Sequence, residues 1–185
     1  MKTNSKDQES VNVKSKDQNA IKTTPLNDLF INELKSIYWV EQALLKALPK
    51  MAEASTTAEV QEAFEDHLNE TEEQVKRLDE IFSLLNIKPG GVRSESMERL
   101  IKESEASIEE TPEDSMVRDV ALICNAQKVE HFEIACYGSL RAIAKELEYD
   151  DIAALLQTSL DEETKTDRKL TQIAESSVNE EANQE

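Results

Sequence analysis

Apolar residues recur at three- and four-residue steps through most of the chain, the spacing of one face of an α-helix. Leu26, Phe30, Leu34, Ile37, Leu44, Leu45 and Leu48 form the first stripe and predict a helix over about 25–53. Thr24 can cap it, Pro25 suits its first position, and Pro49 is placed to kink its last turn. "STTAEV" ends that helix and opens a second, with Thr56 and Glu59 at capping-box spacing. The second stripe is Phe64, Leu68, Val75, Leu78, Phe82 and Leu85, and "NIKPGGVRS" breaks it. A short helix is expected over about 96–109. "TPED" then predicts a third long helix, from Thr111 as cap and Pro112 to about 148. "YDD" turns the chain into a fourth, over about 151–176.

The links within the first pair and the last pair of long helices are short, which implies two antiparallel hairpins. The middle connection, about 87–111, is longer. A helix of ~30 residues is ~45 Å long, and this connection, part helical, reaches ~57 Å. It can return along the whole bundle and set the second and third long helices parallel. The expected architecture is therefore all-α: a ferritin-like four-helix bundle, two antiparallel hairpins joined by a long crossover that contains a short fifth helix. Composition agrees. Three glycines, four prolines and 4% aromatics leave little material for sheet, and 38% apolar residues suffice for one core. One domain is expected over 25–175. Residues 1–24, with the near-repeat "NSKDQES" and "KSKDQNA", read as a disordered polar tail, and the acidic end, 176–185, is expected to fray.

The net charge of −18 is uneven. Residues 1–24 hold Lys2, Lys6, Lys14, Lys16 and Lys22 against Asp7, Glu9 and Asp17, so the acidity lies in the bundle. Such a surface repels phosphates, which argues against nucleic acid and anionic membrane as partners; its acidity serves solubility first, and it also attracts cations. No apolar run approaches membrane-spanning length, and the N-terminus shows no secretory pattern. Cys124 and Cys136 fall on one predicted helix, about 18 Å apart, and read as buried free thiols in a reducing cytoplasm. Nothing near them supplies the basic partner that a reactive thiolate needs. Glycine-rich phosphate loops are absent, which sets aside kinase and dinucleotide chemistry.

Helical wheels place acids on the apolar stripes. Glu41 lies between Ile37 and Leu48, with Glu33 at the edge of that stripe. Glu130 lies between Ile123, Gln127 and Ile134. Glu163 is level with Leu156 and Leu170, and Asp167 stands one turn beyond it. His67 and Glu70 flank the stripe of the second helix. A buried, unpaired carboxylate costs several kcal/mol or takes up a proton. Acids are about one residue in five here, so some reach a stripe by chance. Four helices each doing so have a common explanation in a pair of divalent cations at the bundle centre, iron or, alternatively, manganese. The candidate ligands are Glu41, His67, Glu70, Glu130, Glu163 and Asp167. Whether His131, Glu133 or Glu162 also ligate is left open. The two hairpins look alike: "YWVEQALLKAL" lies on "QKVEHFEIACYGSL", pairing Glu41 with Glu130, and "HLNETEEQVKRL" lies on "SLDEETKTDRKL", pairing Glu70 with Glu162 and His67 with Ser159.

"LNDLFINELKSIYWVEQALLKALPKM", "AFEDHLNETEEQVKRL", "VRDVALICNAQKVEHFEIACYGSLRAIAKEL" and "LDEETKTDRKL" resemble, in order, the YciE/YciF family of stress-associated ferritin-like proteins (domain of unknown function 892). The likeness spans about residues 25–175. It implies a ferritin-like bundle, a homodimer and a place in bacterial stress responses. It also implies metal ligands among Glu41, His67, Glu70, Glu130, His131, Glu163 and Asp167. The usual Glu-x-x-His order of ferritin-like sites is missing: Glu73 follows Glu70 by three and Thr166 follows Glu163 by three, whereas the histidine comes first in His67-x-x-Glu70. Two functions follow. One is a dinuclear metal protein with ferroxidase or peroxide-consuming activity, in which Glu41 and Glu130 are terminal carboxylates, Glu70 and Glu163 bridging ones, His67 a nitrogen ligand and Asp167 a ligand or its support. The other is a non-catalytic helical stress protein with a vestigial metal site.

Overall fold

A computed structural model describes residues 23–185, and the tail expected at 1–24 lies outside the described residues apart from its last two. Helix α1 spans Pro25–Ala54, α2 Ala58–Leu84, α3 Glu95–Glu110, α4 Met116–Glu146 and α5 Asp150–Ile173; a π turn, Ala174–Val178, leads into the short α6, Asn179–Ala182. Thr24 caps α1 by accepting from the Asn27 amide, and the helix runs on through Pro49. The α2 and α4 ends close alike. Asn86 and Glu148 take positive φ, 52° and 59°, and the next amides, of Ile87 and Tyr149, reach back to the carbonyls of Phe82 and Ala144. This is the Schellman closure.

The fold is the ferritin-like bundle. In the ring of four, α1 packs on α2 and α4, and α5 packs on α2 and α4. Contacts set the directions. Asn27 of α1 meets Tyr149, between α4 and α5. On α2 and α5, Asp66 meets Lys169, Glu70 meets Thr166 and Arg77 meets Ser159, an antiparallel register. Thr56 and Thr57, at the start of α2, meet Asp119 at the start of α4, so α2 and α4 run parallel and the crossover spans the bundle. The crossover is held where the Val92 amide donates to the Lys35 carbonyl. Gly91 there presses against Trp39, and a Cβ would stand 2.8 Å from the Trp39 Cβ. Helix α3 then covers α1 and α4. The core is a column of Phe30, Leu34, Leu44, Phe64, Leu78, Phe82, Leu122 and Leu156.

Four expectations are corrected. The N-cap of α2 is Thr57, accepting from the Val60 amide, rather than Thr56. The Asp119 carboxylate takes both the Thr56 and Thr57 amides, so a tertiary contact moved the helix start. The N-cap of α4 is Ser115, not Thr111; Thr111 instead ends α3, because Arg118 reaches back to the Ile108 and Thr111 carbonyls and holds a turn between them. Cys124 is exposed, because it shares the outer face of α4 with Lys128; Cys136 is half-buried. The segment expected to fray is helical through the π turn and α6, anchored by buried Val178. No helix among the described residues is long and apolar enough to cross a membrane.

Candidate metal centre

Helix α4 presents Glu130, Glu133 and Tyr137 at steps of three and four, one continuous inner face. Helix α2 turns His67 inward because Phe64 and Thr71, on the same face, are buried with it. Helix α5 contributes Glu163, framed by Leu156, Ser159, Thr166 and Leu170, and α1 contributes Glu41, between Ile37 and Leu48. These side chains meet near mid-bundle. Donor atoms of His67, Glu130, Glu133 and Glu163 all lie within 4.8 Å of one another, and all four residues are buried. His67 Nδ1 is 3.1 Å from Glu130 Oε1, without hydrogen-bonding geometry. Glu41 joins the group through Tyr137, whose hydroxyl donates to Glu41 Oε1, and through its neighbour Glu133.

The donor supply is short. Gln74 donates its amide to Glu163 Oε1, and Tyr137 serves Glu41. Both oxygens of Glu130 and of Glu133, Glu41 Oε2, and both nitrogens of His67 have no hydrogen-bond partner. Buried polar atoms are nearly always paired, so seven orphaned atoms in one place need a chemical cause. The electrostatics says the same. Burial first, then the charge of Glu163, raises Glu41, Glu130 and Glu133 well above the carboxylate range. Burial pushes Glu163 up to about 7 and lowers His67 to about 4. As bare carboxylates the four acids are uncompensated. A shared proton lets Glu130 bond Glu163 and Glu133 bond Glu41, and divalent cations neutralise the set more fully. Neutral His67 then keeps a nitrogen lone pair for a metal.

Five side chains from four helices thus converge, and four of them, Glu41, His67, Glu130 and Glu163, are candidates from their position on or beside the stripes. Glu133 is outside the six candidate ligands; it stands three residues after Glu130, and that spacing on a buried helix is the signal for it. Glu70 and Asp167 lie at the rim. Glu70 is half-buried, accepting from the Thr166 hydroxyl at 2.7 Å and facing Lys165 at 3.3 Å. Asp167 accepts from the Gln127 amide at 3.3 Å and faces exposed His131, its Oδ1 3.5 Å from Nε2. Glu162 is clamped by both guanidinium nitrogens of Arg77 at 2.8 and 2.9 Å.

Residues 25–183 match the family model described as domain of unknown function, DUF892. Protein YciF of Escherichia coli strain K12 is 44% identical over 158 residues, covering 85% of this chain and 95% of that protein. The crystal structure of the E. coli stress protein YciF superposes with a TM-score of 0.79 at 43% identity, covering 85% of this chain and 99% of that one. YcfI from Rhodopseudomonas palustris, named as a candidate structural protein, superposes at 0.77 with 43% identity over 85% of this chain and 96% of that one. A Xanthomonas campestris protein shares the fold alone, at 20% identity and a TM-score of 0.66 over 85% of this chain and 96% of that one.

Proposed function

The chain belongs to the DUF892 family, and from that premise we propose that it is a stress-associated protein binding a pair of iron or manganese ions inside the bundle. The observation that carries this is the set of seven buried, unpartnered donor atoms on Glu41, His67, Glu130 and Glu133, with Glu163 among them. Four carboxylates and one imidazole suit hard or borderline divalent ions, not soft ones. Tyr137 and Gln74 orient Glu41 and Glu163, and the second oxygen of Glu41 is left free to ligate. Glu70 and Asp167 stand at the rim, one turn from His67 and Glu163 and outside this set. Bound iron or manganese supplies one-electron redox chemistry toward dioxygen or peroxide. The homodimer and the cytoplasm belong to the same proposal. They rest on the family likeness and, for the compartment, on two free cysteines.

Protein expressed with added iron or manganese is expected to carry about two ions per chain, and Glu130→Gln with Glu163→Gln to carry none, as read by metal analysis. Wild-type protein that stays metal-free after anaerobic reconstitution sinks the reading. In that event the Tyr137 and Gln74 hydrogen bonds and the shared protons favour the second function, a non-catalytic helical stress protein. The Gln variants then melt higher than wild type, since amides relieve the buried carboxylates.

A further inference from the structure

The inner cluster is sealed: His67, Glu130, Glu133 and Glu163 are each at most 2% exposed. A cation must reach it past the side chains around it, and three acids stand in that shell. Glu162 and Glu70 have side chains 25% exposed, and Asp167 18%. The Arg77 guanidinium grips Glu162, and Gln74 adds an amide at 3.3 Å, so this position presents a fixed positive charge toward an arriving cation. Glu70 is closed by the Lys165 ammonium and the Thr166 hydroxyl.

Asp167 differs. Its neighbours are an amide, from Gln127, and an imidazole, from His131. Among the described residues it has no ion pair with lysine or arginine. Its carboxylate faces solvent on one side. On the other it lies one helical turn from Glu163, close enough for its charge to act on Glu130. Glu130, with both oxygens buried and unpartnered, lies on the inner side of the same seam, next in sequence to His131. The seam between α4 and α5 thus holds a nitrogen donor, a carboxylate, and then an orphaned carboxylate, in that order from solvent inward.

We propose that His131 and Asp167 form an outer site for a divalent cation through which the buried cluster is loaded. The cation meets the exposed imidazole and the Asp167 carboxylate first, and exchanges these for Glu130 and His67. This rests on the inner cluster being a metal centre. Gln127 keeps Asp167 in place, its amide also donating to Thr171 at 2.8 Å.

The test is the time course of Mn(II) uptake by metal-free full-length protein, followed by the loss of the free-ion EPR signal, with the final metal content measured separately. His131→Gln and Asp167→Asn are expected to slow uptake, the latter about tenfold, as one focusing charge is lost, while the final content stays at the wild-type value. Asp161→Asn, an exposed acid on the same helix away from the seam, controls for net charge and should load at the wild-type rate. Uptake by both seam variants at the wild-type rate overturns the proposal. So does a lowered final content in Asp167→Asn, which makes Asp167 an inner ligand, and so does faster uptake in Lys165→Met with Asp167→Asn unchanged, which puts the entrance at Glu70. Wild-type protein that takes up no Mn(II) or Fe(II) overturns instead the metal centre itself.

Discussion

Tyr137 gives Glu41 its hydrogen bond, and both are fully buried. Removing one partner of a buried hydrogen bond leaves the other to bear its desolvation, about 1–3 kcal/mol. Tyr137→Phe is therefore expected to lower the stability of the metal-free protein by about that much in urea unfolding. An unchanged midpoint would mean that Glu41 is satisfied by a proton shared with Glu133 alone. At this scale mid-stripe position is enough to bury Glu41, Glu130 and Glu163, because a residue in the middle of an apolar stripe has nowhere to go but inward. At the stripe edge it decides less. His67 and Glu70 flank the same stripe, yet His67 is buried and Glu70 lies at the rim, tied to Thr166. Which flank a helix buries is settled by the neighbour it packs against, and the α2 sequence does not encode α5.

Between elements, the hairpin comparison acquires a physical meaning. Glu70 and Glu162, paired by sequence, are equally exposed in the structure. Extending the same register pairs Thr71 with Glu163, Leu44 with Glu133 and Leu48 with Tyr137, buried positions in both halves. The halves share a packing frame and differ in chemistry. The second half places Glu133 and Glu163 where the first has Leu44 and Thr71, and the first places His67 where the second has Ser159. The centre is asymmetric for that reason. The connections obey a different control. Asp119, buried at the start of α4, accepts the Thr56 and Thr57 amides at 2.7 and 2.9 Å and the Thr57 hydroxyl at 2.7 Å. It serves as a cap for α2 supplied from another helix. Asp119→Ala is expected to cost about 2–3 kcal/mol, hydrogen bonds to a charged group being worth more than neutral ones. The check is the urea midpoint with an unchanged slope; a loss under half a kcal/mol counts against the cap.

For the whole molecule, the buried cluster couples folding to pH. Glu163 sits at about 7 when folded against an ordinary 4.5, so between those values the folded state holds the extra proton. Its contribution is full below the ordinary value and is lost as pH rises through 7. Glu41, Glu130 and Glu133 are shifted the same way. His67, lowered from 6.5 to about 4, works in the opposite sense, but only within that window. Above pH 6.5 the carboxylates act alone. The melting temperature of the metal-free protein should therefore fall from pH 6.5 to 8. With Mn(II) or Fe(II) bound it should rise over the same range, because ligation requires deprotonated carboxylates. Parallel falls in both forms would show that the metal sits elsewhere. The sequence by itself determined the helices, their order and the two hairpins, because apolar periodicity and short links are local properties and a long crossover has one way to return. It also marked three of the buried acids, since an acid amid leucines can be seen on one helix. Only the tertiary structure decided that Glu133 joins them, that Glu70 and Asp167 stand at the rim, and that Asp119 rather than Thr56 secures the start of α2. Each of these depends on a side chain from another helix, at a distance that no spacing along the chain records.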